Sequence, residues 1–273
     1  MKPFEIKKEN FLRDLKKIQE TSPLIHNITN YVVMNNTANA LLAVGASPVM
    51  AHALEEVEQM VGYASALVIN IGTLEPQWVQ AMLNAGKIAS KNGTPIILDP
   101  VGAGATTYRT ESCISILNNV KPNIIRGNAS EIIALANACG ISASSDSQTK
   151  GVDSTQDSAD AIAVAMNFAK EKNLIISISG PTDYITDGER VAEVHFGSTM
   201  LTKVTGLGCT ASAITGAFAA VNSDTFEAAA HAMLLMGCAG QRAASYSKGN
   251  GSLQLNFLDE LCNFDENTLN EEL

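Results

Sequence analysis

Pro95-Ile96-Ile97-Leu98-Asp99-Pro100-Val101-Gly102 is an apolar run of strand length that ends in a carboxylate. Successive side chains of a strand point to opposite faces. A run apolar on both faces therefore predicts a strand covered on both sides. The pattern recurs. Ala66-Leu67-Val68-Ile69-Asn70-Ile71-Gly72 ends in an amide and a glycine. Lys121 to Asn128 holds Ile124-Ile125 and exits through Arg126-Gly127-Asn128, and Leu174 to Gly180 exits through Ser179. Ala46-Ser47-Pro48-Val49-Met50 reads as a further short buried strand, and Pro23 to Asn30 as a strand running into a helix with Thr29 or Asn30 as its cap.

Between the strands lie segments of helical spacing: 10–20, 54–63, 76–91, 110–118, 129–139 and 159–172. Asp183 to Phe196 predicts a hairpin turning at Asp187-Gly188, and two Ala-rich helices, 209–221 and 225–244, follow. Ser142 to Ser158, rich in Ser, Asp, Thr and Gln, reads as an exposed loop, and a last amphipathic helix precedes an acidic tail. Apolar strands alternating with helices predict an α/β fold with a mainly parallel central sheet and helices on both faces. No repeat or long linker divides the chain, so residues 1–273 are expected to form a single domain.

Ligands of such sheets sit at the carboxyl ends of the strands. Polar or charged groups fall there in five runs: Asn70, Asp99, Arg126 with Asn128, Ser179, and the loop Thr205-Gly206-Leu207-Gly208-Cys209. That loop leads into the small-residue run 210–216 and has two readings: a tight turn before a buried helix, or an anion hole of free N–H groups with Cys209 at its mouth. A helix N-terminus there would favour a thiolate. Asp99 and Glu131 are either a turn residue and a first-turn helix acid, or oxygen ligands for a hard cation. Arg126 suits a phosphate chain or a structural ion pair. Ser179 serves a phosphate or a loop amide. His26 and Asn27 line a pocket or belong to the core. His231 reads as a packed helix position, and Cys113, Cys139 and Cys262 as small hydrophobes on apolar helix faces.

The totals narrow the function. Apolar residues make up 46% and the formal charge is −10, which predicts no nucleic-acid or anionic-membrane partner. Five cysteines without a Cys-x-x-Cys pair suggest reduced thiols rather than a disulfide frame or zinc site. The charged segment 1–20 and the absence of a long apolar run predict a soluble cytoplasmic protein. The chain lacks a Gly-x-x-x-x-Gly-Lys-[Ser/Thr] loop, a Gly-x-Gly-x-x-Gly after its first strand, and a Gly-x-Ser-x-Gly elbow. A late glycine loop, upstream acids and an arginine suit phosphoryl transfer.

Five segments in order carry a resemblance: Ile25-His26-Asn27-Ile28-Thr29-Asn30, Gly45 to Met50, Leu98 to Gly104, Ile125 to Glu131, and Thr205 to Cys209. On these the chain resembles the hydroxyethylthiazole kinases of the ribokinase-like superfamily. The resemblance implies a three-layer fold and ATP-dependent phosphorylation of the hydroxyl of 4-methyl-5-(2-hydroxyethyl)thiazole in thiamine biosynthesis and salvage. It implies that Met50, Gly206 and Asn27 meet the thiazole alcohol, that Arg126, Ser179 and Gly208 meet ATP, and that Asp99 and Glu131 hold Mg²⁺. Cys209 takes the slot where most ribokinase-like kinases place an aspartate as general base. A homotrimer with pockets at subunit boundaries is also implied. Ser179 departs from the threonine often found there. The rivals are a hydroxymethylpyrimidine kinase or a hydrate-repair enzyme on the same scaffold, and an idle small-molecule binder.

Overall fold

A computed structural model describes residues 2–142 and 154–272. The chain opens with β1 (Lys2–Phe4), α1 (Lys8–Thr21), β2 (Leu24–Ile28), α2 (Met34–Ala43) and β3 (Ser47–Val49). It continues through α3 (Val57–Tyr63), β4 (Ala66–Asn70), α4 (Pro76–Asn92), β5 (Ile96–Asp99) and α5 (Thr107–Val120). Next come β6 (Ile124–Asn128), α6 (Ala129–Ala138), α7 (Ser154–Lys172), β7 (Ile175–Ser179), β8 (Asp183–Thr186) and β9 (Arg190–Val194). A short 3-10 helix (Thr199–Lys203), α8 (Leu207–Ala219), α9 (Thr225–Tyr246), α10 (Asn250–Asn263) and α11 (Glu266–Glu272) follow.

The strands form one sheet in the order β1-β9-β8-β7-β6-β5-β4-β2-β3. β8 pairs antiparallel with both neighbours, and the remaining pairings are parallel. The alternation within each strand builds two cores. Ile25, Val68, Ile97 and Ile124 face α1, α2, α8, α9 and α10. Ile28, Leu67, Ile69, Leu98 and Ile125 face α3 to α7. Helix α8 lies close on the first face because Gly216 has no side chain. A Cβ there would stand 2.8 Å from Val68 Cγ2 and 3.2 Å from Ile25 Cγ2.

Several expectations change. Neither Thr29 nor Asn30 caps α2, whose N-cap is Val33 with no side-chain cap. Asn30 is turned toward the sheet instead, where buried polar atoms compete for it. β3 is half-buried, because it is the sheet's edge strand. β1 and the 3-10 helix were not foreseen, and the acidic tail is helical in α11. The part of the proposed 142–158 loop at 143–153 lies outside the described residues; from Ser154 the chain is already helix. Cys113 is fully buried, but Cys262 is exposed. His231 is a packed helix position, its Nδ1 2.9 Å from Asp14 Oδ2. Among the described residues no helix is long and apolar enough to cross a membrane.

Candidate active site

A cleft of about 650 Å³ opens at the carboxyl ends of β6 and β7, beside the start of α8. Arg126, Glu131, Ser179 and Gly208 all line it. The sequence placed these four at strand exits and at the late glycine loop; the sheet order makes them neighbours. Asp183, Phe196, Met233 and Phe257 also line it and were read only as hairpin or helix residues.

Arg126 is the unusual group. Its residue is only 8% exposed, and its Nε has no hydrogen-bond partner. Among the described residues no carboxylate lies within ion-pair distance of its guanidinium. The structural ion pair is thus not what holds it. A buried charge without a partner is costly, and sites of this kind take an anionic ligand. Gly208 supplies the clearance: a Cβ there would come within 2.9 Å of Arg126 Nη1. The guanidinium therefore sits against the N-terminal turn of α8, whose free N–H groups and dipole also favour an anion. Gly206 makes the turn, with φ at +84°.

Behind the cleft runs a chain of buried polar groups. Ser212 Oγ and Asn70 Nδ2 donate to Asp99 Oδ2 at 2.8 and 2.7 Å. Asn70 Oδ1 accepts from Asn30 Nδ2 at 2.8 Å and from the Gly72 N–H at 2.9 Å. Asn30 Nδ2 also lies 3.4 Å from Cys209 Sγ. Asp99 and Cys209, far apart in sequence, are joined in this way. Burial holds Asp99 at about 6, above the ordinary carboxylate range, against the lowering effect of Arg126 and of the Ser212 and Asn70 hydrogen bonds.

Glu131 is the first-turn helix acid of its first reading. With Asn128 it forms the capping box of α6, its Oε2 accepting the Asn128 N–H at 2.9 Å, while Oε1 accepts the Gly102 N–H at 2.8 Å. It also faces the cleft. A cation fits this donor set in one way only. Among the described residues no three of His, Cys, Asp and Glu gather as a cage. Asp99, Glu131 and Asp183 are the carboxylates at hand, and Mg²⁺ uses one or two, completing its shell with water and phosphate oxygens.

The expectation that a helix N-terminus makes Cys209 a thiolate fails. Burial pushes its thiol up to about 11, and the Asp99 charge adds to this. Hydrogen bonds from Asn70 and Asn30 and the Arg126 charge pull the other way but do not prevail. The dipole acts on a site whose dielectric and whose nearest charge both oppose an anion.

Five expected residues do not line the cleft: Asp99 and Cys209 lie behind it, and three others stand apart. Met50 leaves β3 at the sheet edge, its carbonyl 3.1 Å from His52 Nδ1. Asn27 is fully buried, its Nδ2 donating to Ile25 O at 2.9 Å. Gly206 packs toward Val33. Asn30, Asn70 and Ser212 are the polar groups that sequence reasoning took for a cap, a strand tip and a small helix residue. The polar residue ending the apolar run 66–69 was the one signal available for Asn70.

Comparisons with known proteins bear on the family and the fold. The family model described as the hydroxyethylthiazole kinase family matches residues 15–267. A hydroxyethylthiazole kinase of Syntrophus aciditrophicus is 54% identical over 98% of this chain and 97% of its own. One from Leptospira biflexa is 51% identical over 97% of each. The structure of the Pyrococcus horikoshii hydroxyethylthiazole kinase superposes with a TM-score of 0.87 at 42% identity, covering 96% of both chains. A ribokinase-like superfamily protein of Enterococcus faecalis shares the fold alone, at 12% identity, 99% and 96% coverage and a TM-score of 0.65. Sheet and covering helices define a ribokinase-like fold, and the relatives make the protein a kinase. Within that class, the chain belongs to the hydroxyethylthiazole kinase family.

Proposed function

We propose that this protein transfers the terminal phosphoryl group of ATP to the hydroxyl of 4-methyl-5-(2-hydroxyethyl)thiazole, as the names of its relatives suggest. The observation that carries the nucleotide half is the buried, unpartnered Arg126 guanidinium against Gly208. Arg126, Ser179 and Gly208 receive the phosphates. Charge balance favours a metal-loaded nucleotide: the cleft's lining has Arg126 as its one Lys or Arg among the described residues, against Glu131 and Asp183. Asp99 and Glu131 are the residues to hold Mg²⁺, which when bound neutralises phosphate charge. Met50, Gly206 and Asn27 are assigned to the thiazole alcohol by resemblance. Cys209 is the group to accept the alcohol's proton, as the thiolate left once its own proton has passed to solvent.

We read residues 1–273 as one domain, supported by the single sheet, and the protein as a cytoplasmic homotrimer with pockets at subunit boundaries. Tyr31, Val32, Leu42 and Tyr63 are each at least 60% exposed around β2, α2 and α3, a surface suited to a subunit contact. A coupled assay for ADP release, run with the thiazole alcohol and with hydroxymethylpyrimidine, tests the reading. Release with the thiazole alcohol is expected; release with the pyrimidine alone overturns it.

A further inference from the structure

Arg109 stands in the first turn of α5, the end of a helix that disfavours a cation. Among the described residues it has no carboxylate within ion-pair distance. Its half-buried guanidinium instead donates to three backbone carbonyls. Nη1 reaches Ile71 O at 2.8 Å and Val101 O at 2.7 Å, and Nη2 reaches Gly72 O at 2.8 Å. Ile71 and Gly72 belong to the exit of β4, and Val101 to the exit of β5. One planar fork thus ties together two loops that the sheet itself joins only as far as the Ile71 N–H to Asp99 O bond.

Each loop leads to a carboxylate. The Gly72 N–H donates to Asn70 Oδ1, which turns the Asn70 amide so that its Nδ2 donates to Asp99. Beyond Val101, the Gly102 N–H donates to Glu131 Oε1. Gly102 is held in place against the same arginine: φ is +72°, and a Cβ would lie 3.2 Å from Arg109 Cδ. From one side chain, then, one arm runs to Asp99 and another to Glu131.

We propose that Arg109 is a positioning residue for phosphoryl transfer, setting the separation of the β4 and β5 exit loops and through them the placement of the Asp99 and Glu131 carboxylates. This rests on the reading that those two acids hold the nucleotide's cation. Its own contacts are all to main chain, so it needs no contact with ATP or the alcohol. Lysine keeps the charge but cannot bridge three carbonyls with a fork, so Arg109→Lys separates geometry from charge.

The test measures kcat, KM for each substrate and the Mg²⁺ concentration for half-maximal activity in Arg109→Lys, Arg109→Ala and Asp99→Asn. Groups that orient metal ligands are worth about 10–100-fold in metal affinity or activity. For both Arg109 variants a fall in kcat of about tenfold or more is expected, with a Mg²⁺ requirement raised by a similar factor and KM for the thiazole alcohol within about twofold of the parent. Guanidinium ion added at millimolar concentration is expected to restore part of the turnover of Arg109→Ala. Should Arg109→Ala fail to fold, Arg109→Lys decides. Unchanged kcat and Mg²⁺ requirement in a folded Arg109→Lys, with Asp99→Asn impaired, overturns the proposal alone. An unimpaired Asp99→Asn overturns the cation reading and the proposal with it. Loss of thermal stability in Arg109→Lys with parental kinetics assigns Arg109 to stability and overturns the proposal.

Discussion

At Arg126 a charge is buried with no carboxylate at ion-pair distance among the described residues. Binding and stability should therefore pull apart there. In Arg126→Ala we expect the KM for ATP to rise about tenfold or more, the loss of a charge-assisted contact being worth about 1.5–3 kcal/mol. The ligand-free protein should melt at the same temperature or a few degrees higher, since a shift of about 2–4 °C accompanies 1 kcal/mol in a chain of this size. Thermal scans with and without MgATP measure both. An unaltered ATP dependence removes Arg126 from the nucleotide site. Cys209 offers a second test. Its half-buried thiol lies far above neutrality, whereas an aspartate in its place is the easier proton acceptor. Cys209→Ala should lower turnover by about 100-fold, the low end of the range for general base catalysis, with little change in KM. Cys209→Asp should keep or gain activity. Equal turnover in Cys209→Ala excludes proton acceptance by the thiol.

Among the elements, α8 does two things at once. Its N-terminal turn faces the cleft, and its small residues let it press on β2, β4 and β5. Gly216 lies at the closest approach, and Ser212, one turn earlier, reaches Asp99 from the same helix face. A valine at 216 would meet Val68 at a distance that packed atoms do not adopt and would crowd Ile25. Gly216→Val should cost about 1–3 kcal/mol through overpacking. Because the helix can yield only by lifting, kcat should fall as well, although the residue is two turns from the transfer site. Urea unfolding and steady-state kinetics on the same preparation check this. A destabilised variant with parental kcat separates helix placement from catalysis.

Across the molecule, carboxylates join distant elements: buried Asp14 ties α1 to His231 of α9, and half-buried Asp187 and Asp224 share Arg190. Burial alone would raise Asp14, but hydrogen bonds from His231, Arg13 and Asn222 bring it below the ordinary range. Hydrogen bonds from Arg190 likewise lower Asp187 and Asp224, against burial. A carboxylate lowered in the folded state stabilises it above the unfolded pKa, and that stability is lost as pH falls through the folded value. Unfolding free energy should therefore fall below about pH 4, whereas between pH 7 and 5 Asp99, raised in the folded state, adds stability as it takes up a proton. Asp14→Ala should remove about 3 kcal/mol at neutral pH, the cost of breaking a buried pair. Denaturant titrations at pH 7, 5 and 3 measure this; a parental protein as stable at pH 3 as at pH 5 contradicts it.

The sequence by itself determined the architecture, because a strand buried on both faces must be apolar throughout and a helix on a sheet must be apolar at every third or fourth position. Both patterns can be read one segment at a time. It also pointed to Asp99, Arg126, Glu131 and Ser179, since a polar group that ends an apolar run falls where such sheets bind ligands. Only the tertiary structure decided what these groups do to one another. Hydrogen-bonded partners need not be close in the chain: Asn30, Asn70, Asp99, Cys209 and Ser212 become a single polar chain through strand order and the seating of α8. The same holds for the state of Cys209. A helix start is visible in the sequence and favours a thiolate, whereas burial and a carboxylate brought near by the fold are not visible and prevail. Arg109 escaped the sequence reading altogether, because its partners are backbone carbonyls, which carry no residue identity to read.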